Sequence, residues 1–476
     1  MRDQYIQLVK DYISKTPQYK NTLDEIKRNV LVAGATEKEF EEAIRQIEDS
    51  GQDQSGKTPL DRLKSKKTVF ALASLLIIIA VPTILFLNSS LNKPKTVTNS
   101  TPTKPQNPDK QTNAFPIVYA NTTPIDAKKV FSIPSDNVKL DISGKPKKEI
   151  LGFFPYWMLE TQEKIIINDL SSIALFGLET NANGEIVTVS QDGKVDPGWA
   201  MWRDENLDIL IKRAKALGLD VYLTFKSFNN SNIENLSLSD EAQKTFVANA
   251  SYLVDSKNLD GVNIDFEYTG ESNEKLRDGF LRLIKNLNGE LKRQNPKAAL
   301  TIDTYLVSGA QQGLFNLTLL SPYTDAFVIM GYDMHTPLGE PGPVSAMGGD
   351  TNVIGYVQNY LEKVPEDKLI LAVPYYGYDW AENNKEIQTR ILAIAQINEA
   401  AKNAQINWDD NSQTPFYKYW EDGIQRIVHF DNVRSLAIKY DFINKKNLKG
   451  VGIWALGYDG LNSDLHKLLI DKFIAQ

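Results

Sequence analysis

The segment 260–267, with sequence DGVNIDFE, alternates polar and apolar residues. Successive side chains of a β-strand point to opposite faces, so Asn263, Asp265 and Glu267 share one face and the apolar residues between them share the other. Three buried polar side chains in a row are costly unless they are hydrogen-bonded or functional. The row therefore predicts acid–base chemistry, with Glu267 as the proton donor at its end. Asp260 has the opposite parity and is predicted to have a structural role at the start of the strand.

The two carboxylates of this row limit the reactions that it could support. Asp265 and Glu267, two residues apart on one strand, are too close to lie on opposite sides of a sugar ring, as inverting glycosidases require. They fit an acid with an adjacent helper, or else an internal polar network that only positions strands. A metal role for the pair lacks a third ligand in the sequence, and we predict neither a metal nor a cofactor.

Composition excludes several other chemistries. The 476 residues include no cysteine and three histidines, which rules out disulfides, thiolate metal sites and cysteine nucleophiles. No two histidines have the spacing of a helix-borne zinc site, and we predict that His335 and His429 lie at the surface or at the rim of a cleft. The net charge of −7 lacks the basic footprint of a nucleic-acid-binding protein, so we predict no nucleic-acid partner.

The elements that must position these residues begin at residue 149. Eight β-rich runs alternate with amphipathic helical patterns, which favours parallel β/α units. The predicted strands are 149–157, 171–178, 219–225, 260–267, 299–306, 325–333, 368–377 and 450–457. Their number predicts an α/β fold, a (β/α)8 TIM barrel over 149–476, whose active site lies where the strands end. A doubly wound sheet is the alternative, but no Gly-rich dinucleotide loop follows the first strand.

A long connection separates the seventh and eighth predicted strands. Residues 381–447 are predicted to form a small α+β insertion, because 408–430 alternates like a hairpin around Asp422-Gly423. An insertion at this position would deepen a substrate cleft on the upper face of the barrel.

The first 148 residues have a different character. Residues 1–60 are predicted to be a small helical region, and 88–148 a Pro/Thr/Asn-rich linker. Between them, 69–87 contains 19 residues without a charge, close to the ~20 that cross a bilayer. Basic residues are denser before this segment than after it, so the positive-inside rule places the N-terminus in the cytoplasm and the barrel outside the cell. We predict a single-pass cell-membrane protein whose N-terminal helices bind an unknown cytoplasmic partner.

The motif DGVNIDFE resembles the Asp-x-x-Asp-x-Asp-x-Glu signature of glycoside hydrolase family 18, which includes the chitinases. Further segments carry the same resemblance: MGYD (330–333) is similar to the Met-x-Tyr-Asp element of the family, and GVGIWALGYD (450–459) to the segment whose tryptophan floors the sugar subsite. GFFPYW in the first strand fits as well. The resemblance covers roughly 149–460. The insertion and loops resemble a subgroup that acts on peptidoglycan, such as the spore-cortex glucosaminidases, although no LysM module is apparent.

The resemblance implies a retaining, substrate-assisted hydrolysis of β-1,4 bonds in N-acetylglucosamine-containing polysaccharide, either chitin or peptidoglycan. Glu267 would protonate the leaving oxygen, and the acetamido carbonyl of the substrate would attack the anomeric carbon to form an oxazolinium ion. Asp265 would orient the acetamido group and Tyr332 would hydrogen-bond it. The substrate-binding residues that the resemblance implies are Asn263, Asp333, Met330, Trp454 and Tyr156.

One position departs from the family pattern. Residue 263 is Asn where the signature usually has Asp, and an Asn can hydrogen-bond but cannot titrate. We predict an altered pH profile rather than inactivity. The alternative function is a chitinase-like lectin that binds glycan without cleaving it, but such lectins usually lose the terminal acid, which this sequence retains as Glu267.

Overall fold

A computed structural model describes residues 123–134, 140, 142, 144–310, 313–382, 384 and 387–474. The predicted helical region 1–60, the predicted span 69–87 and most of the predicted linker lie outside this part of the chain. Within the described residues, no helix combines the length and the apolar character needed to cross a membrane.

Eight parallel strands close into a barrel, as predicted. The barrel strands are β1 (Glu149–Pro155), β2 (Ser172–Glu179), β3 (Asp220–Ser227), β4 (Gly261–Phe266), β5 (Ala299–Tyr305), β6 (Ala326–Met330), β7 (Leu369–Pro374) and β13 (Gly450–Trp454). Each pairs in parallel with its neighbours, and β13 closes the ring between β7 and β1. This closed order confirms the TIM barrel and excludes the doubly wound alternative.

Helices surround the barrel, except that the helix Ile394–Ala401 packs against the inserted strands Tyr376–Ala381 and Arg390–Ala393. The α-helices of the described residues are α1 (Ala127–Val130), α2 (Pro197–Trp202), α3 (Glu205–Ala216), α4 (Asn230–Leu238), α5 (Asp240–Ser256), α6 (Glu274–Gln294), α7 (Leu317–Leu320), α8 (Val353–Leu361), α9 (Ile394–Ala401), α10 (Val433–Lys445) and α11 (Ser463–Phe473). In α6, Leu276, Phe280, Leu283 and Leu287 recur at helical spacing and are buried, which fixes the face that the helix turns inward. The side chain of Asn273 caps its first turn by accepting from the Leu276 N–H.

An antiparallel sheet forms the insertion between β7 and β13. Its strands are β8 (Tyr376–Ala381), β9 (Arg390–Ala393), β10 (Asn407–Asp409), β11 (Thr414–Glu421) and β12 (Ile424–His429), in the order β10-β11-β12-β8-β9. Glu421 pairs with Ile424, so Asp422-Gly423 is the two-residue turn that the sequence predicts. Both turn residues have positive φ, 51° and 79°, as a type I′ turn requires.

The insertion starts earlier and ends earlier than the predicted range 381–447. The seventh predicted strand, 368–377, divides into β7 and β8, because the chain leaves the barrel after Pro374 and enters the inserted sheet at Tyr376. Helix α10, by contrast, packs against β13 and belongs to the barrel. Between β2 and α2, Val189 and Val195 form an isolated antiparallel bridge.

Candidate active site

Strand β4 carries the predicted catalytic row into the interior of the barrel. Asn263, Asp265 and Glu267 are all buried, with exposed fractions of 0%, 3% and 1%. The Asn263 amide donates to Thr224 Oγ1 on one neighbouring strand, at 3.4 Å, and to Asp303 Oδ2 on the other, at 2.8 Å. Because an interior side chain reaches both neighbouring strands, these bonds confirm the inward parity that the sequence predicts.

Asp260 has the structural role that its parity predicts. Its Oδ2 accepts a hydrogen bond from the backbone N–H of Val221 at 2.7 Å and a second bond from the Lys215 ammonium. These contacts tie the start of β4 to β3 and to α3, away from the row that ends in Glu267.

The carboxyl group of Asp265 is buried in the barrel interior. Burial raises its pKa to about 7, against a smaller opposing effect from the charge of Lys226. Its Oδ1 has no hydrogen-bond partner among the described residues. This oxygen is therefore available to accept a hydrogen bond from a polar ligand group.

Glu267 is the first residue after β4. Its Oε2 accepts a hydrogen bond from the Tyr305 hydroxyl at 3.1 Å, which fixes the carboxyl group where β4 and β5 end. This end of the strands is the face at which TIM-barrel enzymes carry out their chemistry.

Tyr332 lies close enough to the acidic residues for their charges to act on its hydroxyl group. Burial and then the charges of Asp303, Asp333, Asp265 and Glu267 raise the pKa of its hydroxyl well above the ordinary value. Tyr332 therefore keeps its proton at every physiological pH and acts as a hydrogen-bond donor.

Asp333 connects the barrel to the inserted sheet. Its Oδ1 accepts hydrogen bonds from the hydroxyls of Tyr376 and Tyr378, both at 2.5 Å, and both tyrosines belong to β8. The residue has a φ of 57°, in the left-handed region that aspartate tolerates better than most residues. Asp333 thus holds the inserted sheet next to Tyr332.

The family model of "Glycosyl hydrolases family 18" matches residues 149–459. The match spans more than half of the chain and includes the whole site described above. The chain belongs to glycosyl hydrolases family 18. It is therefore a glycosidase.

Several relatives of this family 18 glycosidase share only part of their length with it. YdhD of Bacillus subtilis (strain 168), sporulation-specific by its name, is 26% identical over 64% of this chain and 72% of its own length. The cortical fragment-lytic enzyme of the same organism is 27% identical, over 51% of this chain and 59% of that enzyme. The solved structure of the Bacillus cereus spore cortex-lytic enzyme SleL has a TM-score of 0.57 and 18% identity, covering 69% of this chain and 75% of that one, which supports the fold.

The remaining predicted site residues of the glycosidase lie at the same end of the barrel strands. Met330 ends β6 and is 7% exposed, and Trp454 ends β13 and is 3% exposed. The Trp454 ring packs edge-on against Phe176, with ring centroids 4.8 Å apart. Tyr156 follows β1 and is partly exposed. Their assignment to substrate binding stays a prediction.

Beside the row on β4, the barrel interior holds a buried carboxyl group that the sequence analysis did not include. Asp303 on β5 is 5% exposed and accepts the amide N–H of Asn263. A signal was present in the predicted strand 299–306, where Thr301, Asp303 and Tyr305 are two residues apart and therefore share one face, although Thr304 on the other face interrupts the polar–apolar alternation.

The prediction for the histidines is wrong for His429. This residue is buried, 8% exposed, and its ring stacks on Phe416 with centroids 5.3 Å apart. Burial, followed by the charge of His335, lowers the pKa of His429 to about 4, so it is neutral at physiological pH. Across the part of the chain that the structure describes, no cluster of three or more His, Cys, Asp or Glu side chains is arranged to hold a metal ion.

Proposed function

We propose that this glycosidase cleaves β-1,4 bonds of N-acetylglucosamine-containing polysaccharide, chitin or peptidoglycan, by substrate-assisted catalysis with retention. The unused Oδ1 of Asp265 carries the proposal. A 2-acetamido group presents an N–H donor two bonds from the anomeric carbon, and this donor would satisfy the buried acceptor. The adjacent Glu267 carboxyl and the Tyr332 hydroxyl supply the proton and the second hydrogen bond that such a reaction needs.

The reaction begins with transfer of the Glu267 proton to the glycosidic oxygen, which breaks the bond between that oxygen and the anomeric carbon. The acetamido carbonyl oxygen attacks the anomeric carbon and forms a cyclic oxazolinium ion. Asp265 accepts the acetamido N–H and stabilises the positive charge, while the Tyr332 hydroxyl donates to the same group. Glu267, now ionised, takes a proton from water as the water opens the ring, and the original configuration is restored.

The decisive experiment compares acetylated with deacetylated substrates. The full chain is incubated with N-acetylglucosamine oligomers, with purified peptidoglycan and with glucosamine oligomers of the same length, and the products are identified by mass spectrometry. We expect new reducing ends from at least one of the two acetylated polymers and none from the glucosamine oligomers, which lack the attacking carbonyl. Cleavage of the deacetylated oligomers at a similar rate would refute substrate assistance, and binding without cleavage of any polymer would favour the lectin.

We also propose that residues 69–87 cross the cell membrane once, with the N-terminus in the cytoplasm and the barrel outside. The uncharged length of the segment and the denser basic residues on its N-terminal side support this orientation. A partner for the N-terminal helical region, residues 1–60, would then be cytoplasmic.

The absence of cysteine makes the orientation directly testable. Single-cysteine variants S55C and S100C flank the proposed span, and the wild-type chain is the unlabelled control. In intact cells, a membrane-impermeant maleimide should label S100C but not S55C, and both should react after lysis. Labelling of S55C alone would reverse the orientation, and equal labelling of both in intact cells would refute the span.

A further inference from the structure

Asp303 lies beside Asp265 on the adjacent strand. Asn263 of β4 pairs with Thr301 of β5, so Asp265 and Asp303 each come two residues later on neighbouring strands and face the same interior. The mechanism proposed above assigns Asp265 a task and gives none to Asp303. A buried carboxyl group next to a catalytic one requires an explanation, because an uncompensated charge there is costly.

The hydrogen bonds determine which oxygen of Asp303 can carry a proton. Thr301 Oγ1 donates to Asn263 Oδ1 at 2.6 Å, which turns the Asn263 amide nitrogen toward Asp303. That nitrogen donates to Asp303 Oδ2 at 2.8 Å, so Oδ2 is already an acceptor. Oδ1 of Asp303 has no partner among the described residues, and a proton on this atom would conflict with no existing donor.

The charges around the pair allow only one of the two carboxyl groups to ionise readily. Burial and then the negative charge of Asp265 raise the pKa of Asp303 well above its ordinary value, while the Asn263 bond lowers it slightly. Lys226 is the cation whose charge favours ionised Asp265, and its ammonium also lies 3.5 Å from Glu179. The other titratable groups that face this region are Glu267 after β4, Tyr305 on β5, and Tyr332 and Asp333 after β6.

We infer that Asp303 keeps a proton on Oδ1 and, with Asn263 beside it, acts as the positioning residue that leaves Asp265 as the ionised member of the pair. The inference rests on the proposed function, in which ionised Asp265 receives the acetamido N–H. It also accounts for the amide at position 263. The titratable partner of Asp265 lies on β5 in this chain, and an Asp at position 263 would add a third carboxyl group, and a second negative charge, to the same space.

The first test moves the carboxyl group between the two strands. Asn imitates a neutral carboxylic acid, so D303N should keep kcat within about threefold of wild type. D303L removes the proton donor and the acceptor for Asn263, so it should lose about 100-fold in kcat.

N263D should lose about tenfold in kcat and move the acidic limb of the pH profile to higher pH, because it adds a like charge. The double variant N263D/D303N should recover most of that loss and shift the limb back.

Recovery of kcat in N263D/D303N distinguishes two roles for Asp303. Asp303 is either a titratable partner of Asp265 or a residue that only fills space. A purely structural Asp303 would make the two substitutions additive, so that N263D/D303N is no better than N263D, and this result would overturn the inference. Thermal unfolding of each variant shows whether D303L has failed to fold. The swap variants contain only Asn and Asp at these positions, and their comparison stands independently of D303L.

The second test detects the proton without any substrate. Infrared difference spectra of the full chain are recorded about one pH unit above the Asp265 pKa of about 7. We expect a protonated-carboxyl band that disappears in D303N and persists in E267Q. If the band persists in D303N, the proton resides elsewhere and the inference is wrong. Because no turnover is measured, failure of the proposed function and failure of the Asp303 assignment give different results.

Discussion

Asp265 in the barrel and Asp379 in the inserted sheet are both buried carboxylates, exposed at 3% and 1%, but their oxygens have different partners. Asp379 Oδ1 accepts from Arg426 Nε at 2.8 Å, and its Oδ2 accepts from the Tyr419 hydroxyl at 2.8 Å. Arg426 itself is 1% exposed and also donates to the backbone carbonyl of Asp379. Asp265 Oδ1, by contrast, lacks a partner within the described residues.

The difference shows two uses of the same functional group. At Asp379 the cation and the hydroxyl satisfy the carboxylate, so the cluster joins β8, β11 and β12 and leaves nothing for a ligand. At Asp265 one buried oxygen lacks a donor among the described residues, and in the proposed mechanism the bound substrate supplies it. The comparison implies that substitutions in the first cluster reduce stability, whereas substitutions in the second reduce catalysis.

The largest effect is expected at Glu267. E267Q keeps the shape of the side chain but removes the transferable proton, so kcat should fall by about 10²–10⁴-fold. The unfolding midpoint should not fall, because the substitution removes a carboxyl group from a buried site. Steady-state kinetics and thermal unfolding measure the two effects, and full activity in E267Q would contradict the proposed mechanism.

At the inserted sheet, we expect the opposite pattern. R426M leaves the Asp379 charge buried without its main cation, which should lower the free energy of unfolding by about 3–5 kcal/mol. The matched control is R282M, which breaks the exposed Arg282–Asp240 pair and should cost at most about 1 kcal/mol. Urea unfolding measures the free energy of unfolding of both variants. Equal losses would show that the pairing of Asp379 with Arg426 contributes little to stability.

The pH dependence of catalysis should follow the protonation of the buried Asp265 carboxyl group. Burial raises the pKa of Asp265 to about 7, so the group gains a proton as the pH falls through that value and can no longer stabilise the oxazolinium charge. We expect kcat/KM to fall about tenfold per pH unit on the acid side of pH 7. Rates between pH 5 and pH 8 measure this limb, and a flat profile over that range (about two units below and one above this pKa) would refute the assignment.

The smallest effect is expected at Tyr305. Y305F removes the hydroxyl that donates to Glu267 Oε2 but keeps the ring, so kcat should fall by about 3–10-fold, the value of one hydrogen bond. The control is Y252F, since Tyr252 is 70% exposed and should tolerate the change without loss. A loss at Y305F no larger than at Y252F would show that this bond does not position the acid.

Most of the barrel could be predicted from sequence because parallel strands, buried on both faces, appear as apolar runs separated by helical patterns. The boundary of the inserted sheet could not be predicted in the same way. The residues after Pro374 continue as an aromatic run, YYGYDWA, and no turn-forming sequence marks the point where the chain changes sheets.

The inward row of Asn263, Asp265 and Glu267 was predictable because three polar residues alternate with apolar ones within one strand. Asp303 is harder to predict, because Thr304 interrupts the alternation of polar and apolar residues in its strand. Its contact with Asn263 depends on the register between β4 and β5, which the closed barrel sets. The burial of His429 likewise depends on cross-strand packing against Phe416 in the inserted sheet.

The two tyrosine hydroxyls on Asp333 limit how the inserted sheet of this chain can be exchanged. Residues 376–430 leave the barrel after β7 and return before α10, so they could be exchanged for another insertion as one segment. Tyr376 and Tyr378 would leave with it, and Asp333, next to Tyr332, would lose both of these donors. A functional chimera therefore has to keep these two tyrosines, because they belong to the catalytic barrel as much as to the insertion.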